Sequence, residues 1–166
     1  MKLNKTYSIC GYMGVGKTTL IKKVMQKKNF KCLDLDEFIA EKYGPIDIIF
    51  ESKGESYFRE IEQKEYFENL ESFDLIALGG GSLENSSIHN HVISSGSGIY
   101  LESSFEELWS RIKDTNRPLV AEGREANYQR FLRRIKLYED CKFKINENNL
   151  DDTFDKLIEI IDKDEN

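Results

Sequence analysis

A glycine-rich segment near the start of the chain, Gly-Tyr-Met-Gly-Val-Gly-Lys-Thr-Thr at 11–19, has the residue types that bind phosphate groups. It follows the strand-like run 7–10 and precedes a helical run, and this context is what a Gly-x-x-x-x-Gly-Lys-Thr phosphate loop requires. Glycines let successive N–H groups point inward, Lys17 can bridge the outer phosphates, and Thr18 offers a hydroxyl to Mg²⁺. The alternative is a glycine-rich turn with a surface lysine. The segment predicts a nucleoside triphosphate site, with phosphate contacts from Gly14, Val15, Gly16, Lys17, Thr18 and Thr19.

Two aspartates come directly after the second apolar run, at 30–33. Ligands of open α/β sheets bind at the carboxyl ends of the strands, so Asp34 and Asp36 are expected beside the phosphate loop. On an extended backbone, side chains two positions apart share one face, where one carboxylate could hold Mg²⁺ through water and the other could face an acceptor. The alternative, which the spacing leaves open, is that Asp36 caps a helix predicted at 37–43.

Arg59 and Glu62 lie on a helix predicted at 54–70, where residues three positions apart are neighbours on one face. Such a pair is usually a surface ion pair that adds little stability. The other interpretation is that Arg59 binds the carboxylate of a ligand while Glu62 orients it. Spacing alone leaves both interpretations open.

Three consecutive glycines, Gly79, Gly80 and Gly81, follow the third apolar run, at 75–78. They cost conformational entropy and contribute nothing to an ordinary turn. Close approach of the backbone to a ligand is the better explanation.

Six of the seven arginines fall between positions 111 and 134, a window with seven basic and three acidic side chains in a chain of formal net charge −6. This clustering favours recognition of a small anion, while the overall charge argues against a nucleic acid or an anionic membrane as partner. Arg117 lies in the stretch 113–126, which has no clear periodicity and is typical of a mobile lid. Arg134 lies on a helix predicted at 127–138.

The composition, 39% hydrophobic and 33% charged in 166 residues, predicts one globular domain over 1–166. Cysteines at 10, 32 and 141 are odd in number and widely spaced, which favours buried thiols over disulfides or a metal site. The first residues lack an apolar signal segment, and no run approaches the length of a membrane span. We therefore expect a cytoplasmic protein, and a monomer.

Five strand-like runs, at 7–10, 30–33, 75–78, 99–101 and 143–145, alternate with helical patterns along the chain. Strands alternating with helices predict an α/β fold, in which a parallel sheet with right-handed crossovers carries helices on both faces.

The order of these features resembles the shikimate kinase family. The resemblance extends from residue 11 to 138 through the phosphate loop, Asp34-Leu35-Asp36, Phe58-Arg59 with Glu62, the glycine triplet, Arg117-Pro118-Leu119, and an arginine four residues before Tyr138. It implies a P-loop kinase of the nucleoside-monophosphate-kinase type with strand order 2-3-1-4-5. The implied reaction transfers the γ-phosphoryl group of ATP to the 3-hydroxyl of shikimate, in the pathway to chorismate and the aromatic amino acids.

The resemblance also implies roles for residues whose chemistry suits them. Lys17, Asp36 and Arg117 would be catalytic, with Arg117 also contacting ATP, and Thr18 and Asp34 would lie on the magnesium side. Glu62 would orient Arg59. Since a guanidinium matches the geometry of a carboxylate, arginines suit the substrate site. The residues expected to bind shikimate are Asp36, Arg59, Gly79, Gly80, Gly81 and Arg134.

The chain departs from the family pattern after its last strand, where the adenine loop usually carries Arg or Pro and this chain reads Asn-Glu-Asn-Asn-Leu at 146–150. Arg111 is a candidate to stack on the base, although a surface role on its helix is equally compatible. Two rival functions remain. One is a kinase of another small hydroxylated acid, such as gluconate, or of a nucleotide, and the second is a nucleotide-binding module without catalysis. Both aspartates together with Arg117 argue against the second.

Overall fold

Five short apolar runs form one parallel sheet in the computed structural model, which describes residues 3–166. The strands are β1 (Tyr7–Cys10), β2 (Cys32–Asp34), β3 (Leu75–Ala77), β4 (Gly98–Leu101) and β5 (Phe143–Ile145). The helices are α1 (Lys17–Lys27), α2 (Leu35–Tyr43), α3 (Ile46–Lys53), α4 (Glu55–Asn69), α5 (Ser86–Ser94), α6 (Phe105–Ile112), α7 (Arg124–Tyr138) and α8 (Leu150–Glu165). Two 3₁₀ helices, Ser82–Glu84 and Pro118–Glu122, complete the regular structure of the described residues.

The sheet has the order β2-β3-β1-β4-β5, which confirms the predicted topology. The central strand β1 pairs with β3 on one side and β4 on the other, with Ser8 opposite Ile76 and Gly98. All four residues of β1 are buried, as expected of a strand covered on both faces. This arrangement places the carboxyl end of β1, and the phosphate loop that follows it, at the middle of one edge of the sheet.

Two apolar layers confirm that helices cover both faces. On one face, Leu20 and Val24 of α1 pack with Leu157 of α8 against the sheet. On the other face, Phe58 of α4 and Phe131 of α7 belong to a second cluster. These two helices also carry Arg59 and Arg134 of the candidate site. The rigidity of these layers determines the positions of the side chains at the sheet edge.

The backbone around Asp36 differs from the expectation. The chain turns into α2 directly after β2, so Asp36 lies in the first helical turn and not on extended backbone. The capping residue is Asp34, whose carboxylate accepts a hydrogen bond from the Glu37 N–H at 3.1 Å. The interpretation of Asp36 as the helix cap is therefore wrong, and the physical reason is that Asp34, still in β-conformation, reaches the unpaired amides first.

The segment predicted as a lid has more regular structure than expected. Pro118–Glu122 form a 3₁₀ helix, and α7 begins at Arg124, three residues before the predicted start at Asn127. Buried Asn127 explains the ordered backbone, because its side-chain amide donates to the carbonyls of Leu119 and Gly123 at 2.8 and 2.7 Å. These bonds tie the end of the segment to α7.

The three cysteines are free thiols, but they are not isolated from one another as their spacing implied. Cys10 is buried, while Cys32 and Cys141 are only partly buried. The Sγ atoms of Cys10 and Cys141 lie 3.2 Å apart. Across residues 3–166 we find no helix that combines the length and apolar character needed to cross a bilayer.

Candidate active site

The phosphate loop lies between the last residue of β1 and the first turn of α1, as its sequence context predicts. Gly14 and Gly16 have φ values of +83° and +105°, a region that L side chains rarely adopt. Gly14 also packs so closely that a Cβ atom there would lie 2.6 Å from a methyl group of Ile112. The two glycines therefore give the loop a backbone that other residues would strain.

Lys17 extends back along this loop. Its Nζ donates to the carbonyl oxygens of Gly11 and Tyr12, the latter at 3.2 Å. Burial lowers the pKa of Lys17 to about 8, and the negative charges of Asp36 and Asp34 offset part of that effect. An anionic ligand near the Nζ atom would favour the charged ammonium form further.

Thr18 and Asp34 form a second contact at the phosphate end of the site. The Thr18 hydroxyl donates to Oδ2 of Asp34 at 2.5 Å, while the other carboxylate oxygen of Asp34 caps α2. The pair presents two hard oxygen donors held in place by their neighbours, a type of donor set that suits a magnesium ion bound also by water and phosphate.

Asp36 faces the glycine triplet from the first turn of α2. Burial raises its pKa to about 6, and the negative charges of Glu62 and Asp34 add to the rise, against Lys17 and Arg59. Asp36 packs against Gly79, and the neighbouring Gly80 faces Gly11 and Met13, so this carboxylate lies near the phosphate loop.

The glycine triplet is the surface on which the predicted site residues converge. A Cβ at Gly79 would lie 2.7 Å from the Asp36 carboxylate, and one at Gly81 would lie 2.5 Å from Arg59 and 2.8 Å from Arg134. None of the three glycines has a positive φ, so the space around them, and not their backbone conformation, explains the residue type. The sequence predicted that a ligand comes close to the backbone of the triplet. In the structure, the charged ends of Asp36, Arg59 and Arg134 pack over these glycines.

Gly80 links this surface to the phosphate loop. A Cβ at Gly80 would lie 3.4 Å from the Arg134 guanidinium and 3.6 Å from the backbone nitrogen of Met13. The carbonyl of Gly80 accepts a hydrogen bond from the Tyr138 hydroxyl. The glycine triplet, with Arg134 beside it, therefore lies directly next to the phosphate loop.

Arg59 is oriented by a buried carboxylate. Its Nη1 donates to Glu62 at 2.8 Å, and the side chain of Glu62 is 1% exposed. The second oxygen of Glu62 accepts a hydrogen bond from the Ser82 hydroxyl at 2.7 Å. These contacts favour the orienting role over an ordinary surface ion pair, and Ser82 is a residue that sequence reasoning missed, although it directly follows the triplet.

Arg134 is nearly buried, and its Nε atom has no hydrogen-bond partner among the described residues. A buried donor of this kind carries a desolvation cost that an anionic ligand would relieve. Its Nη2 atom contacts Oε2 of Glu84 at 3.4 Å, and Glu84 is a second residue that sequence reasoning missed. The sequence could have indicated Glu84, because it is an acidic residue three positions after the glycine triplet.

Arg117 is the predicted site residue that the structure does not bring into contact with the others. It is exposed and precedes the 3₁₀ helix Pro118–Glu122. Its positive charge nevertheless contributes to lowering the pKa of Lys17. Other arginines of the basic window pair elsewhere, Arg124 with Glu106 and Arg130 with Glu122.

A cavity of about 350 Å³ opens beside the phosphate loop. Arg111 lines it, and Nη1 of Arg111 donates to the Gly14 carbonyl at 3.3 Å. The segment 146–150, which departs from the family pattern, lines the opposite part. Its size and its position next to the loop fit a nucleobase.

Comparisons with known proteins agree with this geometry. The family model described as shikimate kinase matches residues 13–163. A shikimate kinase from Sulfurihydrogenibium sp. is 38% identical over 146 residues, which cover 86% of this chain and 87% of that protein. The crystal structure of a shikimate kinase from Bacteroides thetaiotaomicron superposes with a TM-score of 0.83 at 25% identity, over 95% of this chain and 99% of that one.

A second solved structure, the shikimate kinase from Acinetobacter baumannii in complex with shikimate, is 29% identical with a TM-score of 0.81. The match covers 96% of this chain and 94% of that one. Sequence, fold and site geometry lead to one conclusion: this chain belongs to the shikimate kinase family.

Proposed function

We propose that this ATP-dependent kinase transfers the γ-phosphoryl group of ATP to the 3-hydroxyl of shikimate, giving shikimate 3-phosphate and ADP. The observation that carries the proposal is the convergence of Asp36, Arg59 and Arg134 over the glycine triplet beside the phosphate loop. Two guanidinium groups and a carboxylate suit an acceptor that has both a carboxylate and hydroxyl groups. Family membership supports the same reaction.

On the acceptor side, Arg59 and Arg134 bind the shikimate carboxylate, and Glu62 keeps Arg59 in orientation. The unpartnered Nε of Arg134 supports this role, since a carboxylate would satisfy it. The backbone of Gly79, Gly80 and Gly81 contacts the ring side of the acceptor, because these three residues have no side chain of their own beneath Asp36, Arg59 and Arg134.

On the nucleotide side, the N–H groups of Gly14, Val15, Gly16 and Thr19 hold the phosphates. Lys17 turns from the loop carbonyls to the outer phosphates, and Arg117 compensates the charge that develops on the travelling phosphoryl group. The phosphoryl transition state depends mainly on placement and charge compensation, so these two cations carry much of the rate. Arg117 reaches this position when the segment 113–126 closes as a lid.

Asp36 accepts a hydrogen bond from the acceptor hydroxyl and aligns its oxygen with the γ-phosphorus. With a pKa of about 6, its carboxylate is ionised at neutral pH and lies close enough to the operating pH to take the hydroxyl proton. Its larger effect comes from positioning, because the phosphoryl transition state needs little help from a base.

Mg²⁺ fits the donor pair of Thr18 and Asp34, where Thr18 would bind the ion directly and Asp34 through water. When bound, the ion neutralises charge on the phosphates and holds them in line. Arg111 and the segment 146–150 hold the base in the neighbouring cavity.

The proposal is tested by measuring ADP formation from ATP and Mg²⁺ with three acceptors, shikimate, gluconate and a nucleoside monophosphate. We expect turnover with shikimate alone. Turnover with gluconate alone would contradict the substrate assignment. Nucleotide binding without turnover on any acceptor would favour the non-catalytic binding module.

The acceptor role of Arg59 has a matched pair of variants. Arg59→Ala should raise the KM for shikimate about 100-fold, because a charge-assisted pair of hydrogen bonds is lost, while the KM for ATP stays near that of the wild type. Arg59→Lys keeps the charge that neutralises Glu62 but loses the planar guanidinium fork, so its KM for shikimate should lie between those of the wild type and Arg59→Ala. Equal losses for shikimate and ATP would show that Arg59 only supports the helix.

The same proposal includes a single domain that acts as a monomer in the cytoplasm. The large apolar side chains that are most exposed among the described residues lie on five different helices, which supports a monomer. The free thiols support a reducing compartment. Light scattering after gel filtration would detect a dimer and so test the oligomeric state.

A further inference from the structure

An acidic side chain lies between the two arginines assigned to the acceptor carboxylate. Oε2 of Glu84 is 3.4 Å from Nη2 of Arg134 and 3.7 Å from Nη2 of Arg59. Glu84 ends the 3₁₀ helix that follows the glycine triplet. The same oxygen would lie 3.0 Å from a Cβ at Gly81, where both guanidinium groups converge.

The contacts of Glu84 differ from those of a structural ion pair. Glu62 holds Arg59 at 2.8 Å and is buried, whereas the side chain of Glu84 is 32% exposed and its distances to both arginines are longer. Nε of Arg134 remains without a partner. A carboxylate held this loosely satisfies neither arginine fully, and it can leave without disturbing the packed core.

The charges at this place balance only while the acceptor is absent. Glu62 neutralises Arg59, which also has the exposed Glu55 at 3.6 Å, and Glu84 neutralises Arg134. A further carboxylate arriving from an acceptor would find no unpaired positive charge unless Glu84 moved away. The arginine pair is thus occupied by a carboxylate of the protein itself.

We propose that Glu84 lowers the affinity of the acceptor site for anions by occupying the place of the acceptor carboxylate until that ligand displaces it. The proposal rests on the acceptor role of Arg59 and Arg134 given under Proposed function. An anion that makes only charge contacts replaces one carboxylate by another and gains little. An acceptor whose ring hydroxyls also contact Asp36 and the glycine backbone gains those contacts in addition, so it displaces Glu84 at concentrations at which a small anion leaves Glu84 in place.

The experiment compares Glu84→Gln and Glu84→Ala with the wild type and with Glu60→Gln. Glu60 is exposed on α4 and pairs with neither arginine in the described structure, so its variant makes the same change of net charge without removing a partner of Arg59 or Arg134. Removing one nearby like charge should lower the KM and the calorimetric Kd for shikimate about tenfold, with the KM for ATP unchanged. The Kd of inorganic sulfate, measured by calorimetry without shikimate, should also fall about tenfold in both Glu84 variants, and Glu60→Gln should behave as the wild type.

Two results would overturn the inference while leaving the proposed function intact. An unchanged KM would show that Glu84 does not compete with the acceptor. A raised KM would show that Glu84 helps to orient the arginines. A crystal structure with shikimate should show Glu84 withdrawn from Arg134, and a retained 3.4 Å contact beside the bound acceptor would contradict the proposal.

The results differ if the proposed shikimate kinase reaction itself is wrong. If the wild type does not phosphorylate shikimate, the reaction assignment is wrong whatever Glu84 does. Sulfate binding by calorimetry then decides the inference by itself. Tighter binding in Glu84→Gln and Glu84→Ala than in Glu60→Gln supports it, and equal binding refutes it.

Discussion

Replacing Asp36 by asparagine should make the protein more stable and less active. The carboxylate of Asp36 is held among buried groups, beside the negative charges of Glu62 and Asp34, and its pKa is raised from 3.8 to about 6. The folded protein therefore prefers the protonated form. The stability contributed by this preference is complete below pH 3.8 and is lost as the pH rises through about 6.

The magnitude follows from the same pKa. Each pKa unit corresponds to about 1.4 kcal/mol, so ionising Asp36 in the fold costs about 3 kcal/mol above pH 7. That pKa already includes the attraction of Lys17, and part of the gain is cancelled in the variant because the asparagine amide buries two N–H donors where a protonated carboxyl has one O–H. We expect Asp36→Asn to unfold with a free energy about 1–2 kcal/mol larger than that of the wild type at pH 7.5, and about equal at pH 4.

Urea unfolding at pH 4, 6 and 7.5, followed by circular dichroism, measures this difference. Asp155→Asn, an exposed change on α8, is the control for loss of one negative charge. The kcat of Asp36→Asn should fall about 100-fold or more, because an amide aligns the acceptor hydroxyl less well than a charged carboxylate and cannot take its proton. A variant that is no more stable than the wild type at pH 7.5, or whose advantage does not shrink in acid, would refute the reasoning.

Three further predictions concern the surroundings of the site. Gly81→Ala should raise the KM for shikimate at least about tenfold, because its methyl group would displace the flexible ends of Arg59 and Arg134. It would displace no backbone, so its free energy of unfolding should stay within about 1 kcal/mol of the wild type, and a large loss of stability in urea would contradict this. In Ser82→Ala, buried Glu62 loses a hydrogen-bond donor, so the free energy of unfolding should fall by about 1–2 kcal/mol and the KM for shikimate should rise severalfold with little change in kcat. An unchanged KM would mean that Arg59 is positioned without Ser82. EDTA should abolish ADP formation and excess Mg²⁺ should restore it, with full activity in EDTA as the contrary result.

The phosphate loop could be predicted from sequence because its determinants are local. The glycines at 14 and 16 need positive φ, and the flanking strand and helix are adjacent in the chain. The sheet was predictable for a related reason, since strands that alternate with helices leave few topologies open. The strand order itself came from the resemblance, and the sheet pairing confirms it.

The surroundings of the aspartates were less predictable, because the prediction assumed an extended backbone through Asp36. A side-chain cap at Asp34 starts α2 earlier than the apolar periodicity indicates. The start of α7 was missed for the same kind of reason, since Asn127 bonds to carbonyls of the preceding segment and its polar side chain gives no sign of burial.

The sequence by itself determined the kind of chemistry and the fold, because a phosphate loop, a strand–helix alternation and a run of glycines each act over a few neighbouring residues. Only the tertiary structure decided which charges meet. Arg59, Glu84 and Arg134 come from three separate elements, and the packing of α4 and α7 against the sheet brings them over Gly81. The same packing raises the pKa of Asp36 and leaves Arg134 with an unpartnered donor, since burial changes the free energy of a charge in a way that no residue type or spacing reveals.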